Sequence, residues 1–110
     1  MATAYKILGQ SSPSDTSNTD LYTVPADASA VISTLMISNT SIAEATCRIF
    51  ARQGGAAAST TNAIIYGGAI AGNDFKAITV GITLAGADVI TVQSGTADAL
   101  TFQAFGSEVS

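Results

Sequence analysis

Along most of this chain apolar and polar residues alternate singly, in short runs separated by turn-forming residues. Side chains of a β-strand point to opposite faces in turn, so a period of two predicts strands with two distinct faces. AYKILGQ (4–10) reads as a first strand, and SSPSDTSNTD (11–20) as a polar loop whose Ser, Asp, Asn and Pro favour turns. LYTV (21–24) is a short strand, PADA (25–28) a turn and SAVISTLMIS (29–38) a longer strand. Strict alternation there sets Val31, Ser33, Leu35 and Ile37 on one face and Ala30, Ile32, Thr34 and Met36 on the other. Both faces are partly apolar, as in a strand inside a sandwich or at a subunit contact.

EATCRIFARQ (44–53) sorts more cleanly. Cys47, Ile49 and Ala51 share one face, while Thr46, Arg48, Phe50 and Arg52 occupy the other, which reads as exposed or interfacial. We expect Arg48, Phe50 and Arg52 to face a partner. GGAAASTTN (54–62) has only small and polar residues, which predicts a hairpin tip or a loop ordered by a partner. NAIIYGGAI (62–70) is a strand with a bulge or bend at Gly67-Gly68. AGND (71–74) turns the chain, FKAITVGITL (75–84) is the next strand, AGAD (85–88) turns it again and VITVQS (89–94) follows. In ALTFQAFGSEV (99–109) Leu100, Phe102 and Ala104 lie together, with Thr101, Gln103 and Phe105 opposite. About eight short strands, with no segment holding a 3.6-residue period, predict an all-β sandwich or barrel.

A chain of 110 residues fits one domain, 1–110. A domain of this length buries only about two-thirds of its unfolded surface, so association would add useful buried area. Composition strengthens that expectation. Only 11 % of residues are charged, against about 25 % in average soluble domains. With 47 % hydrophobic residues, a free monomer would expose apolar patches, which mark association sites. Net charge is −4, and Lys6, Arg48, Arg52 and Lys76 are scattered, so no basic stripe exists to attract nucleic acid. MATAYKILGQ lacks the apolar run of a signal peptide, and no stretch nears 18 continuous apolar residues. The expectation is a chain made and kept soluble inside a cell, with no membrane partner.

Candidate chemistry is sparse. The chain has no histidine, which removes the commonest general base, metal ligand and triad member. Cys47 is single, so it has no intramolecular disulfide partner, and its charged neighbour Arg48 falls on the opposite strand face; a small core residue is expected. Asp15, Asp20, Asp27, Asp74 and Asp88 all fall where turns are expected, and turn aspartates bond their own backbone. No D-x-[DN]-x-[DN]-G calcium loop and no phosphate-binding glycine loop is present. Asn39-Thr40-Ser41 fits a glycosylation sequon but reads as turn chemistry. Tyr5, Tyr22 and Tyr66 form no recognisable stacking platform. We therefore expect no enzyme, no cofactor and no metal.

KILGQSSPSDTSNTDLYTVPADASAVISTLMISNTS, ATCRIFAR and ITLAGADVITVQSGTADALTFQAFGSE together resemble small structural proteins of tailed bacteriophages and cyanophages. The shared features are a K-x-L-G-Q start, L-Y-T-V-P, an S-T-L-x-I-x-N strand, and L-x-x-x-D-V-I-T-V before a terminal F-G-S-E. The similarity covers nearly the whole chain, through strand and turn signatures rather than catalytic ones. It departs from the pattern in the alanine-rich 54–62 loop and at Gly67-Gly68. The resemblance implies an antiparallel, jelly-roll-like β-sandwich and a homo-oligomer, a trimer being favoured. It also implies a place in the virion after assembly in the host cytoplasm. There the chain would be a capsid cement (decoration) protein contacting the major capsid protein or other virion proteins. A tail or baseplate component and a host-glycan-binding module are the alternatives.

Overall fold

Nine strands form among the described residues, which in this computed structural model are 3–79 and 81–110. In chain order they are β1 (Thr3–Ser11), β2 (Thr19–Thr23), β3 (Ser29–Asn39), β4 (Ala45–Arg52), β5 (Ala63–Ile70), β6 (Phe75–Ile78), β7 (Ile82–Leu84), β8 (Val89–Ser94) and β9 (Leu100–Val109). The expected strand over 75–84 divides into β6 and β7, because Gly81 adopts φ +64°, a conformation outside any ladder. Val80 lies outside the described residues.

All pairings are antiparallel. One sheet runs β1-β9-β3-β6, with β7 also on β3, and the other runs β2-β8-β4-β5. If β6 and β7 are taken as one interrupted strand, consecutive strands alternate between two four-stranded sheets, except at the β4–β5 hairpin, in the order of a jelly roll. The two sheets face each other across one core, so of the sandwich and the barrel that the alternation allows the chain forms the β-sandwich.

Inward residues follow the alternation, except where bulges shift its phase. On β9 Leu100, Phe102 and Ala104 point inward, and on β4 Ala45, Cys47 and Ile49 do so. On β3 the register against β9 slips between Ile32 and Thr34. The buried set therefore changes from Ala30 and Ile32 to Leu35, Ile37 and Asn39. Strict alternation over 30–37 does not hold, and its two half-apolar faces resolve into one inward face on either side of Ser33. Fully burying Phe102, Leu35, Ile37, Ile49, Ile90 and Leu100 contributes about 1.5–3 kcal/mol each.

These shifts line up across the five-stranded sheet. β1 slips between Ile7 and Gly9, opposite the Ala104–Phe105 step of β9, and β3 slips opposite the adjoining Phe105–Gly106 step. The interval between β6 and β7 falls beside the β3 slip, between Leu35↔Ile78 and Ile32↔Ile82. The sheet thus carries one transverse line of irregularity, where bulges increase twist and bend the strands. In the other sheet Gly67, at φ +89°, is the unpaired residue between Arg48↔Tyr66 and Cys47↔Gly68, the bulge expected at that glycine pair.

Candidate functional site

A jelly roll has two outer faces, and here they are built differently. Antiparallel register places partnered residues on the same face. On the four-stranded sheet, Arg48, Phe50 and Arg52 of β4 share the outer face with Val89, Thr91 and Gln93 of β8, Tyr66 of β5 and Asp20 of β2. The chain itself covers much of this face. Arg52 donates from Nε to the Ala56 carbonyl at 2.6 Å and from Nη2 to the Gly55 carbonyl at 2.9 Å. Its Nη1 reaches Asp20 Oδ1 and Thr91 Oγ1, both at 3.1 Å, and the Thr91 hydroxyl donates to the same Asp20 oxygen at 2.9 Å. The Gly54 amide donates to Asp88 Oδ1 at 2.7 Å, and Ser59 and Asn62 close a capping box over a short 3₁₀ turn. The 54–62 loop is the tip of the β4–β5 hairpin, as one of its two expected readings had it, and this chain's own Arg52 and Asp88 hold it.

Of the three residues expected to face a partner, only Arg48 is presented to solvent. Its guanidinium lies 4.0 Å from the centre of the Tyr66 ring, a cation–π stack. Phe50 is 4 % exposed, with its ring edge-to-face against Tyr66 at a centroid distance of 6.3 Å. Arg52 spends its donors within the chain.

The polar residues singled out in the sequence hold turns. Asp15 Oδ1 accepts from the Ser17 amide and hydroxyl, which hold its carboxyl below the usual carboxylate range. Asp74 accepts from the Phe75 amide, and Asp88 Oδ2 from the Ala85 amide. Asp20 lies within β2 rather than in a turn. Asn39, buried, donates to the carbonyls of Ala43 and Ile70 and accepts from the Ser41 amide and hydroxyl, so the sequon is a folded turn. Cys47 is buried in the core, and burial pushes its thiol up despite the opposing field of Lys76. Tyr22 spans the sheets, its hydroxyl donating to Glu108 Oε2, while Lys6 Nζ reaches Glu108 Oε1 at 3.3 Å. Desolvation and the carboxylate beside it hold the Tyr22 phenol well above its usual range; the Tyr22 hydroxyl, then Lys6, hold Glu108 below the usual carboxylate range. Among the described residues, no group of three or more acidic or cysteine side chains is arranged to hold a metal ion.

Among the described residues, the outer face of the five-stranded sheet has no such cover and no charge. Register assigns it Tyr5, Ile7 and Gln10 of β1, Gln103, Phe105 and Ser107 of β9, Val31, Thr34 and Met36 of β3, Phe75 and Ala77 of β6, and Thr83 of β7. Charged residues on these strands are Lys6, Lys76 and Glu108. Each pairs with a residue of the inward face: Lys6 with Gly106, Lys76 with Ile37, Glu108 with Ala30. Tyr5 is 86 % exposed, Phe75 61 %, Ile7 52 % and Val31 40 %. On one side of the bulge line the face holds a groove of about 570 Å³ lined by Tyr5, Ile7, Val31, Ser33, Phe105 and the main chain nearby. The groove also borders Lys6, whose ammonium is turned to Glu108. Sequence reasoning did not single out this face. Ile7 and Leu8 adjoin, as do Leu35 and Met36, and without the bulges their inward and outward members are indistinguishable.

No protein-family model matches the chain, and no curated protein is similar to it. Among solved structures it is similar to a chain of infectious bursal disease virus, Gx strain. The TM-score is 0.50 at 12 % identity, over 97 % of this chain and 31 % of that one. The chain thus spans about a third of the viral chain it matches, and at this identity the likeness concerns the fold. The resemblance to phage structural proteins rests on the sequence motifs.

Proposed function

We propose that this chain is a structural subunit of a virion, and specifically a capsid cement protein that bridges major capsid proteins on a phage head. The observation that carries the reading is the uncharged outer face of the five-stranded sheet, backed by a rigid sandwich. An uncovered face of apolar and small polar residues suits close packing of subunits within an assembly, at about 25 cal/mol per Å² of apolar surface buried, before the costs of association, and leaves the rest of the sandwich to meet other virion proteins. The jelly-roll strand order and the likeness to a viral chain support the same class of role. The function is mechanical rather than catalytic: aspartates hold turns, the thiol is buried, and the groove walls are apolar or hydroxylic apart from Lys6, which is paired with Glu108. A glycan-binding reading is disfavoured because Tyr22 is buried against Glu108 and Tyr66 carries Arg48 on its ring.

The test is the copy number of this chain in purified virions, by quantitative mass spectrometry against the major capsid protein. A ratio near one to one is expected for cement. A few copies per hundred would assign the chain to the tail or baseplate, and absence from virions would overturn the virion reading altogether.

A further inference from the structure

We infer that the outer face of the five-stranded sheet is a self-association surface, on which a second copy of this chain docks face to face about a two-fold axis. The inference deepens the virion reading and rests on it only for its setting; the contact itself follows from charge, area and shape.

Charge decides the kind of partner. Copies of a chain with net charge −4 repel one another wherever their carboxylates meet. This face carries no charged side chain among the described residues, whereas the opposite outer face carries Arg48, Arg52 and Asp20. Two such faces brought together oppose no like charges, and the nearest ion, Lys6 at the groove's border, is already paired with Glu108, so the contact costs little in desolvation. A partner with charges at the contact would leave them unanswered.

Area is sufficient. The 10 residues of β9 extend about 34 Å, and four strand spacings give about 19 Å of width, or roughly 650 Å² per copy. A pair of faces therefore buries about 1,300 Å², above the roughly 1,000 Å² that marks a specific interface.

Shape favours reciprocity. Tyr5 stands 86 % exposed on the rim of the groove floored by Phe105, Ile7 and Val31. A two-fold axis makes each contact twice, so each Tyr5 can enter the other copy's groove as an aromatic anchor. Its hydroxyl then meets the Ser33 and Ser107 hydroxyls that line the groove.

The test is analytical ultracentrifugation at micromolar concentration. The wild-type chain is expected at twice its 11.0 kDa mass, unchanged between low and high salt. Ile7→Lys/Val31→Lys and Ile7→Glu/Val31→Glu should each sediment as monomers, with Kd raised on the order of a hundredfold or more, and should pair when mixed. Arg48→Glu, on the other sheet, should leave association unchanged. Should the double variants misfold, Tyr5→Ser probes the anchor at a side chain too exposed to affect folding, and it too should weaken pairing. A wild-type monomer, a trimer, or a dimer indifferent to all these changes would overturn the inference. A monomer in solution that is nonetheless found at cement copy number would overturn the pairing and leave the virion reading intact. A dimer that obeys these variants but is absent from virions would do the reverse.

Discussion

The two outer faces of this sandwich show how one chain can finish one surface and leave its opposite open. On the four-stranded sheet the β4–β5 loop folds back, and Arg52 holds it through two backbone carbonyls while also reaching Asp20 and Thr91. Thr91 and Phe50, both on that outer face, are consequently buried. On the five-stranded sheet nothing comparable among the described residues crosses the face, and Tyr5, Ile7, Val31 and Phe75 stand in solvent. Residues of similar hydrophobicity thus serve folding on one side and are free for association on the other. Tertiary cover, not residue type, separates the two roles.

Matched substitutions on the two faces test this contrast most severely. Phe50→Ala should cost about 3–5 kcal/mol of folding stability in urea denaturation, as for other large core truncations. Tyr5→Ala, measured in dilute monomeric solution, should stay within about 0.5 kcal/mol of wild type. Equal losses at the two positions would mean that the five-stranded face is also part of the folding core.

Removing the clamp should have the next largest effect. Arg52→Ala strips four hydrogen bonds and should cost about 1–3 kcal/mol, with faster proteolysis confined to 53–62. Arg52→Lys should recover only part of the loss, because an ammonium cannot present the same planar fork to Gly55, Ala56 and Asp20. The exposed Asp20 carboxylate contributes little by itself, so Asp20→Asn should be nearly silent. A loop equally protected in Arg52→Ala would show that its cover does not depend on the arginine.

The smallest effect concerns the bridge between the sheets. Glu108 is held below its ordinary range, so its contribution is complete above the unfolded carboxylate value near 4.3 and is lost as pH falls through its folded value. Tyr22 is held above its ordinary range, so stability should fall as pH rises past about 10, where the unfolded chain releases the phenol proton and the folded chain keeps it. Tyr22→Phe should flatten the alkaline slope and shallow the acid one, read as denaturation midpoints against pH. Unchanged slopes would exclude this pair as their source.

Much of the architecture was legible beforehand because a period of two is a strong local signal. The inward sets Cys47 with Ile49 and Leu100 with Phe102 and Ala104 follow from alternation alone, as does an all-β sandwich or barrel. Turn chemistry was equally readable at Asp15, Asp74, Asp88 and Asn39, whose side chains bond main-chain groups close by in sequence. Where the reading departs from the structure, at Ser33 and at Phe50, the cause is long-range. A bulge depends on the register of a neighbouring strand, and β9 lies more than sixty positions from β3.

The sequence by itself determined that this is an all-β chain of short alternating strands, poor in charge and without the side chains of common catalysis, because composition and local periodicity are properties of the chain alone. Only the tertiary structure decided which strand faces lie under cover. Pairing distant strands set the bulge line, turned Lys6, Lys76 and Glu108 away from one broad surface, and folded Arg52 and its loop over the other. Those outcomes depend on which segments meet in space.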